Sequence, residues 1–266
     1  MFKTRFFWQF MKSITDMSVS DVQKIQAILF DLDGTFVSGD VIKSEAYNRL
    51  EKLRNSGIKT IAVTGRPAGW CDLIARWWPV DAVVGENGAF FYKKVNKKIV
   101  RETYHPLDSL STYQNKLNSL FDKISKKHDS LTLASDQPFR NWDIAIDIAE
   151  ESNVDIDIAL DILKICESEG ARAAISNIHI NIWFGDYNKE MMSLKVLKEY
   201  SLGKSEAIYI GDSPNDSPMF GYFPLSVGVN SVTKYEEIIS NLPKYVTNRD
   251  GSDGFMELVD FIFSTK

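Results

Sequence analysis

The alternation of apolar and polar positions divides the chain into three stretches. In the first, short apolar runs at 27–31, 59–64 and 82–85 read as buried strands, separated by amphipathic helices at 44–55 and 68–78. Such alternation predicts an α/β fold: a parallel sheet with helices on both faces, whose ligands bind at the carboxyl ends of the strands. Asp31 and Thr64 fall at such ends. From about Ala89 the pattern turns to hairpins, with 89–92 and 99–103 flanking a lysine-rich turn, Lys93-Lys-Val-Asn-Lys-Lys98. A helix (107–127), two strand-like runs (131–134, 143–149), a second helix (154–169) and two more runs (171–176, 178–184) follow, which predicts a compact α+β unit with an antiparallel sheet. After Gly185 strand and helix alternate again, with a helix at 189–200, strands at 207–211, 225–229 and 245–247, and a last helix from Gly254. The expected organisation is therefore a discontinuous α/β domain (22–88 and 185–266), an inserted domain (89–184) and an N-terminal leader (1–21).

Composition narrows the partners. The chain has 266 residues, 44% of them hydrophobic, enough for a substantial core. A net charge of -5 and a pI near 5.4 disfavour a nucleic-acid or anionic-membrane surface, so a small ligand is expected. Cys71 and Cys166 both lie in helical apolar spacing and read as buried free thiols, which suits a cytoplasmic location. The opening stretch, Met1 to Met11, is basic and aromatic, but Gln9 breaks its apolar run and no small-residue cleavage site follows. It reads as an amphipathic surface segment or a disordered leader. No stretch approaches the roughly eighteen apolar residues of a membrane span.

Four motifs carry candidate chemistry. Asp31-Leu-Asp33-Gly-Thr35 follows the first strand and sets two carboxylates one residue apart; at an effective dielectric of about 20 they repel by a few kcal/mol, which calls for a cation or a shared proton. Val63-Thr64-Gly65-Arg66-Pro67 follows the second strand, Lys189 opens a helix, and Gly211-Asp212-Ser213-Pro214-Asn215-Asp216 follows the strand Ile208-Tyr-Ile210. In that order and on those elements, the four resemble the haloacid dehalogenase superfamily of aspartyl-phosphate phosphatases, over nearly the whole span from Ile25 to Phe263. The resemblance implies a Rossmann-like three-layer α/β/α core. It also implies that Asp31 is the nucleophile, while Asp33 is the acid and then the base, starting protonated through its crowded neighbourhood. Mg2+ would be held by Asp31, the Asp33 carbonyl and Asp212. Thr64 and the Gly65 N–H would grip the phosphoryl group, Lys189 would neutralise charge, and Asn215 and Asp216 would orient Lys189 or the metal's waters.

The insertion, with Gly85-Glu86-Asn87-Gly88-Ala89 at its start, resembles the class IIB cap, whose members include sugar phosphatases and phosphomannomutases. In Ile178-His179-Ile180-Asn181-Ile182-Trp183 the isoleucines point one way and His179, Asn181 and Trp183 the other; Asp143-Ile-Ala-Ile-Asp147-Ile repeats the design. Asp136, Arg140, Asp143, His179, Asn181 and Trp183 are the expected substrate lining, suited to sugar hydroxyls and a second acidic group. The stripe Trp70, Ile74, Trp77, Trp78 reads as core packing, with Trp70 a candidate exception near the Thr64 turn.

The expected activity is Mg2+-dependent hydrolysis of a small phosphomonoester, a sugar phosphate or a phosphorylated glycosyl acid such as mannosyl-3-phosphoglycerate. The alternatives are a phosphomutase, towards which Gly185-Asp-Tyr-Asn-Lys189 leans, and a non-catalytic phospho-ligand module, which has no use for Asp33.

Overall fold

The computed structural model describes residues 11–39 and 41–266; the opening stretch before Met11 lies outside them. The described strands are β1 (Lys12–Ser13), β2 (Ala27–Phe30), β3 (Lys59–Val63), β4 (Ala82–Gly85), β5 (Phe90–Val95), β6 (Lys98–Thr103), β7 (Asp143–Asp147), β8 (Arg172–Ile175), β9 (His179–Trp183), β10 (Ala207–Gly211), β11 (Leu225–Gly228) and β12 (Tyr245–Val246). Nine of them form one sheet in the order β1-β12-β11-β10-β2-β3-β4-β5-β6, and β7-β9-β8 form a second.

The large sheet is parallel from β1 to β4. Its central strand shows why both faces must be covered: Ile28 and Phe30 enter the core on one side and Ala27 and Leu29 on the other, all fully buried. On the first side pack α2 (Ser44–Asn55), α3 (Ala68–Trp77) and α8 (Gly251–Thr265), through residues such as Leu50, Ile74 and Leu258. On the other pack α6 (Lys189–Glu199) and α7 (Ser217–Tyr222), through Val196 and Phe220. The three-layer expectation holds.

Two boundaries fall elsewhere than the sequence pattern suggests. The hairpin β5–β6, grouped above with the insertion, is hydrogen-bonded antiparallel onto β4 and extends the large sheet. Residues 12–21, grouped with the leader, belong to the same body: β1 pairs with β12, and Ile14 and Met17 are buried in the core. Apolar spacing finds the hairpin but not the sheet it joins, which is a long-range pairing, and a two-residue strand such as β1 is too short to show a period.

The inserted unit carries its own core, in which Leu117, Leu120 and Ile124 of α4 (Leu110–Lys127) and Ile162 of α5 (Ile156–Ser168) cover the isoleucines of β7 and β9. The run at 131–134, expected as a strand, makes a single bridge, Leu133 to Ile146. The Trp stripe of α3 is half right. Ile74 is buried and Trp78 packs on Phe36, but Trp70 is 43% and Trp77 76% exposed, because α3 turns that edge away from the sheet. No described helix is long and apolar enough to cross a membrane.

Candidate active site

Asp31 continues the β2 ladder by one residue, its N–H donating to the Ile210 carbonyl, so its side chain emerges at the carboxyl end of the sheet. Gly34 then turns the chain with φ +81°; a Cβ there would lie 2.2 Å from Asp212 Oδ2, so only glycine allows the two acidic loops to approach. Asp212 leaves β10 in the neighbouring position, with Thr35 Oγ1 3.5 Å from its Oδ1.

Lys189 opens α6, whose N-cap Asn188 accepts the Met191 N–H at 2.8 Å. Its buried Nζ donates to Asp31 Oδ1 and to Asp216 Oδ1, both at 2.7 Å. Burial pulls against the Lys189 charge, yet Asp216 and Asp31 hold its pKa above the ordinary lysine value. Asp216 is saturated: besides Lys189 it accepts from Tyr209 Oη and from the backbone N–H groups of Asp212 and Ser213. Burial pushes Asp31 up to about 8 against the pull of Lys189, and lifts Asp212 well above the carboxylate range, with Asp31 and Asp216 adding to it.

Thr64 is fully buried at the end of β3; its oxygen accepts the Arg66 N–H at 3.0 Å, which leaves its own hydrogen free to donate. Gly65 is pressed close to the insertion, for a Cβ there would meet Asn181 Oδ1 and Asn87 Nδ2 at 3.2 Å each. Asp31, Asp33, Gly65, Asn215, His179 and Asn181 line one polar cavity of about 10 Å³, roofed by Ser176 and Asn177 of the β8–β9 turn. That is room for about one water molecule, so a phosphoryl group enters only as the roof moves.

Four of the expected lining residues have other work. Arg140 is fully buried and binds Asp136 through Nε at 2.8 Å, Asp143 through Nη1 at 3.0 Å and the Gly65 carbonyl at 2.9 Å. Asp136, Arg140 and Asp143 are thus a closed ionic cluster that seats the insertion on the Thr64 turn, with Asn181 donating to Asp143 at 2.9 Å. Burial raises the Asp143 pKa, although Arg140 and Asn181 oppose it. Trp183 joins the core, stacked on Tyr187 at 5.7 Å with its Nε1 donating to the Tyr187 carbonyl. His179 does face the cavity, paired with Glu150 at 2.9 Å; burial, then Arg140, lowers its pKa.

The sequence reading assigned no role to Arg66, Glu86 or Asn87. Arg66 clamps Asp33 through Nε at 2.9 Å and Nη2 at 2.8 Å, and reaches Glu150 at 3.0 Å and Asp136 at 3.4 Å across the gap to the insertion. The direct partner of Asp33 is therefore a cation, where crowding by carboxylates was expected. Glu86, at φ +44°, accepts the N–H groups of Ala68 and Asn141 at 2.9 Å and that of Trp142. Burial, with Asp143 adding, pushes it up to about 8 despite those donors. Asn87 is buried at φ +54°, and neither amide atom has a hydrogen-bond partner among the described residues. The sequence signals were present, an arginine inside the Thr-Gly-Arg-Pro turn and a carboxyl between glycines at a strand end, but their partners lie far along the chain.

The comparisons with known proteins agree with this geometry. A family model for haloacid dehalogenase-like hydrolases matches residues 28–258, and the chain belongs to that family and is an enzyme. A phosphoglycolate phosphatase of Nitrosopumilus maritimus is 26% identical over 245 residues, 89% of this chain and 96% of the relative. One of Thermoplasma volcanium is 23% identical, covering 74% and 81%. Among solved structures, Thermoplasma acidophilum 0175 superposes with a TM-score of 0.72 at 18% identity, over 90% of this chain and 98% of that one. The Synechocystis sucrose-phosphatase, in complex with sucrose and phosphate, gives 0.66 at 17%, with the same coverage. At such identities these two likenesses show the fold.

Proposed function

We propose that the protein is a Mg2+-dependent phosphomonoesterase working through an aspartyl phosphate on Asp31. One observation carries this reading: the Lys189 ammonium lies 2.7 Å from the candidate nucleophile, inside a buried acidic cluster at the strand ends.

The donor set fits magnesium. Ligand oxygens of Asp31, Asp212 and Asp216 lie within 4.8 Å of one another, and a single lysine faces three carboxylates, so the cluster favours a hard divalent cation. Asp216 has spent its oxygens on Lys189, Tyr209 and two N–H groups, so Asp31 and Asp212 would hold the ion and Asp216 would position the lysine. A bound Mg2+ would offset the charge of the phosphoryl oxygens and of Asp31.

The chain's own groups supply the rest. Asp31 attacks phosphorus while the bond to the alcohol oxygen breaks; Asp33, released from the Arg66 clamp and protonated from solvent as the roof opens, delivers that proton to the departing alcohol oxygen. Water then attacks the aspartyl phosphate, Asp33 takes the water's proton, and inorganic phosphate leaves. Thr64, Gly65 and the unpaired amide of Asn87 are the neighbours suited to phosphoryl oxygens. Of the residues expected to meet a sugar or glycosyl acid, only His179 and Asn181 line the polar cavity, since Arg140 is committed elsewhere.

The test is phosphate release, with Mg2+, from p-nitrophenyl phosphate and a panel of phosphorylated metabolites including phosphoglycolate and sugar phosphates. Release abolished by Asp31→Asn is the expected result; a wild-type protein that binds the esters without turnover, or moves phosphate between positions of one sugar, would overturn it.

A further inference from the structure

A second cavity, of about 680 Å³, is lined by Asp33 but not by Asp31. Its walls are apolar: Val37 and Ile42 from the loop after Asp33, Trp70, Leu73 and Trp78 from α3 and its end, and Phe139 from the insertion. Asp33 and Arg66 line both this chamber and the polar slot, and the Trp70 ring lies 4.5 Å from the Arg66 guanidinium.

We infer that this chamber receives the alcohol part of the substrate, so that phosphomonoesters of uncharged apolar or aromatic alcohols are the preferred class. The inference rests on the hydrolase reading above. If Asp33 protonates the departing oxygen, the carbon bearing that oxygen lies beside Asp33, and the rest of the molecule must extend from there. Two directions exist. The slot under His179 and Asn181 is polar and offers about 10 Å³ before its roof moves, space that the phosphoryl group itself must take as the roof opens. The chamber offers about 680 Å³, several times the roughly 150 Å³ cavity that accepts a benzene ring. Its charge content excludes acidic alcohols: Arg66 is the sole cation among its described lining residues, and Asp33, Glu150 and Asp136 already share it. Exposed apolar side chains gathered at the entrance to a reacting carboxyl are suited to bury a flat or aliphatic group.

The test measures phosphate release, with Mg2+, from ethyl phosphate, 2-phenylethyl phosphate, phosphoglycolate and glucose 6-phosphate. The first two share a primary alkoxide leaving group and differ by one ring. The expected result is a kcat/KM for 2-phenylethyl phosphate about 30-fold or more above the other three. Leu73→Ser and Phe139→Ser, at positions 46% and 55% exposed and so tolerant of change, should each cut the phenylethyl-to-ethyl ratio about tenfold. Turnover with a ratio near one, a preference for phosphoglycolate or glucose 6-phosphate, or a ratio that neither substitution moves overturns the inference and leaves the hydrolase reading standing. No release from any of the four overturns both.

Discussion

Replacing Lys189 by methionine keeps the length of the side chain and removes the cation that touches the buried Asp31 and Asp216. Two charge-assisted hydrogen bonds of 2.7 Å are lost. Removing one partner of a buried ion pair costs about 3–5 kcal/mol, and for a chain of this size each kcal/mol lowers Tm by roughly 2–4 °C, so a fall on the order of 10 °C is expected at neutral pH. The cost should grow with pH, in a defined window. Asp31 is pushed up to about 8, so below that pH it holds its proton in both proteins. A carboxyl whose folded-state pKa is raised contributes stability that is lost as pH rises from its unfolded value through its folded one. In the wild type that loss ends near pH 8, because the ammonium accepts the ionised form, whereas in Lys189→Met it continues upward. At about pH 9.5, roughly 1.5 units further on, the variant should lie about 2 kcal/mol lower again. Lys189 itself stays charged throughout this range, its pKa being raised by the same carboxylates. Thermal unfolding of both proteins in metal-free buffer at about pH 7 and pH 9.5 measures both quantities. A deficit of less than about 2 °C, or one that is equal at the two pH values, would refute the view that Lys189 neutralises buried acid.

Further outcomes follow from other parts of the site. Magnesium chloride in excess of its Kd should raise Tm in the wild type by mass action, and Asp212→Asn should remove that shift in the same thermal assay. Asp33→Asn should lower kcat by about 10²–10⁴-fold, measured by phosphate release from an ester with a poor leaving group. Glu86→Ala strands three backbone N–H groups at about 1–3 kcal/mol each, and hydrogen exchange should speed up selectively at Ala68, Asn141 and Trp142.

Arg66 and Glu86 explain how one closed arrangement is held. Arg66 ties Asp33 of the α/β domain to Glu150 and Asp136 of the insertion, and Glu86 ties the start of α3 to the residues leading into β7. Both contacts join the α/β domain to the insertion, and the Arg66 contact takes hold of Asp33 itself. Movement of the insertion as a body relative to the α/β domain would have to break these contacts.

The sequence by itself determined the alternation of strand and helix, the insertion between the second and third motifs, and the residues that meet at the strand ends. The physical reason is that these depend on local period and on topology: neighbouring parallel strands necessarily bring Asp31, Thr64 and Asp212 to one edge, and Lys189 opens the helix that packs there. Period also told which face of β9 carries His179 and Asn181. It could not tell what those faces meet. Arg66 finds Asp136 and Glu150 at separations of 70 and 84 residues, and Arg140 finds Gly65 at 75. Only tertiary structure could decide that Asp136, Arg140 and Asp143 neutralise one another, that Trp183 joins the core, and that Trp70 stacks on Arg66 at the wall of the apolar chamber. A buried charge takes whichever partner the fold brings within reach, and an apolar side chain is core or pocket wall according to what packs against it.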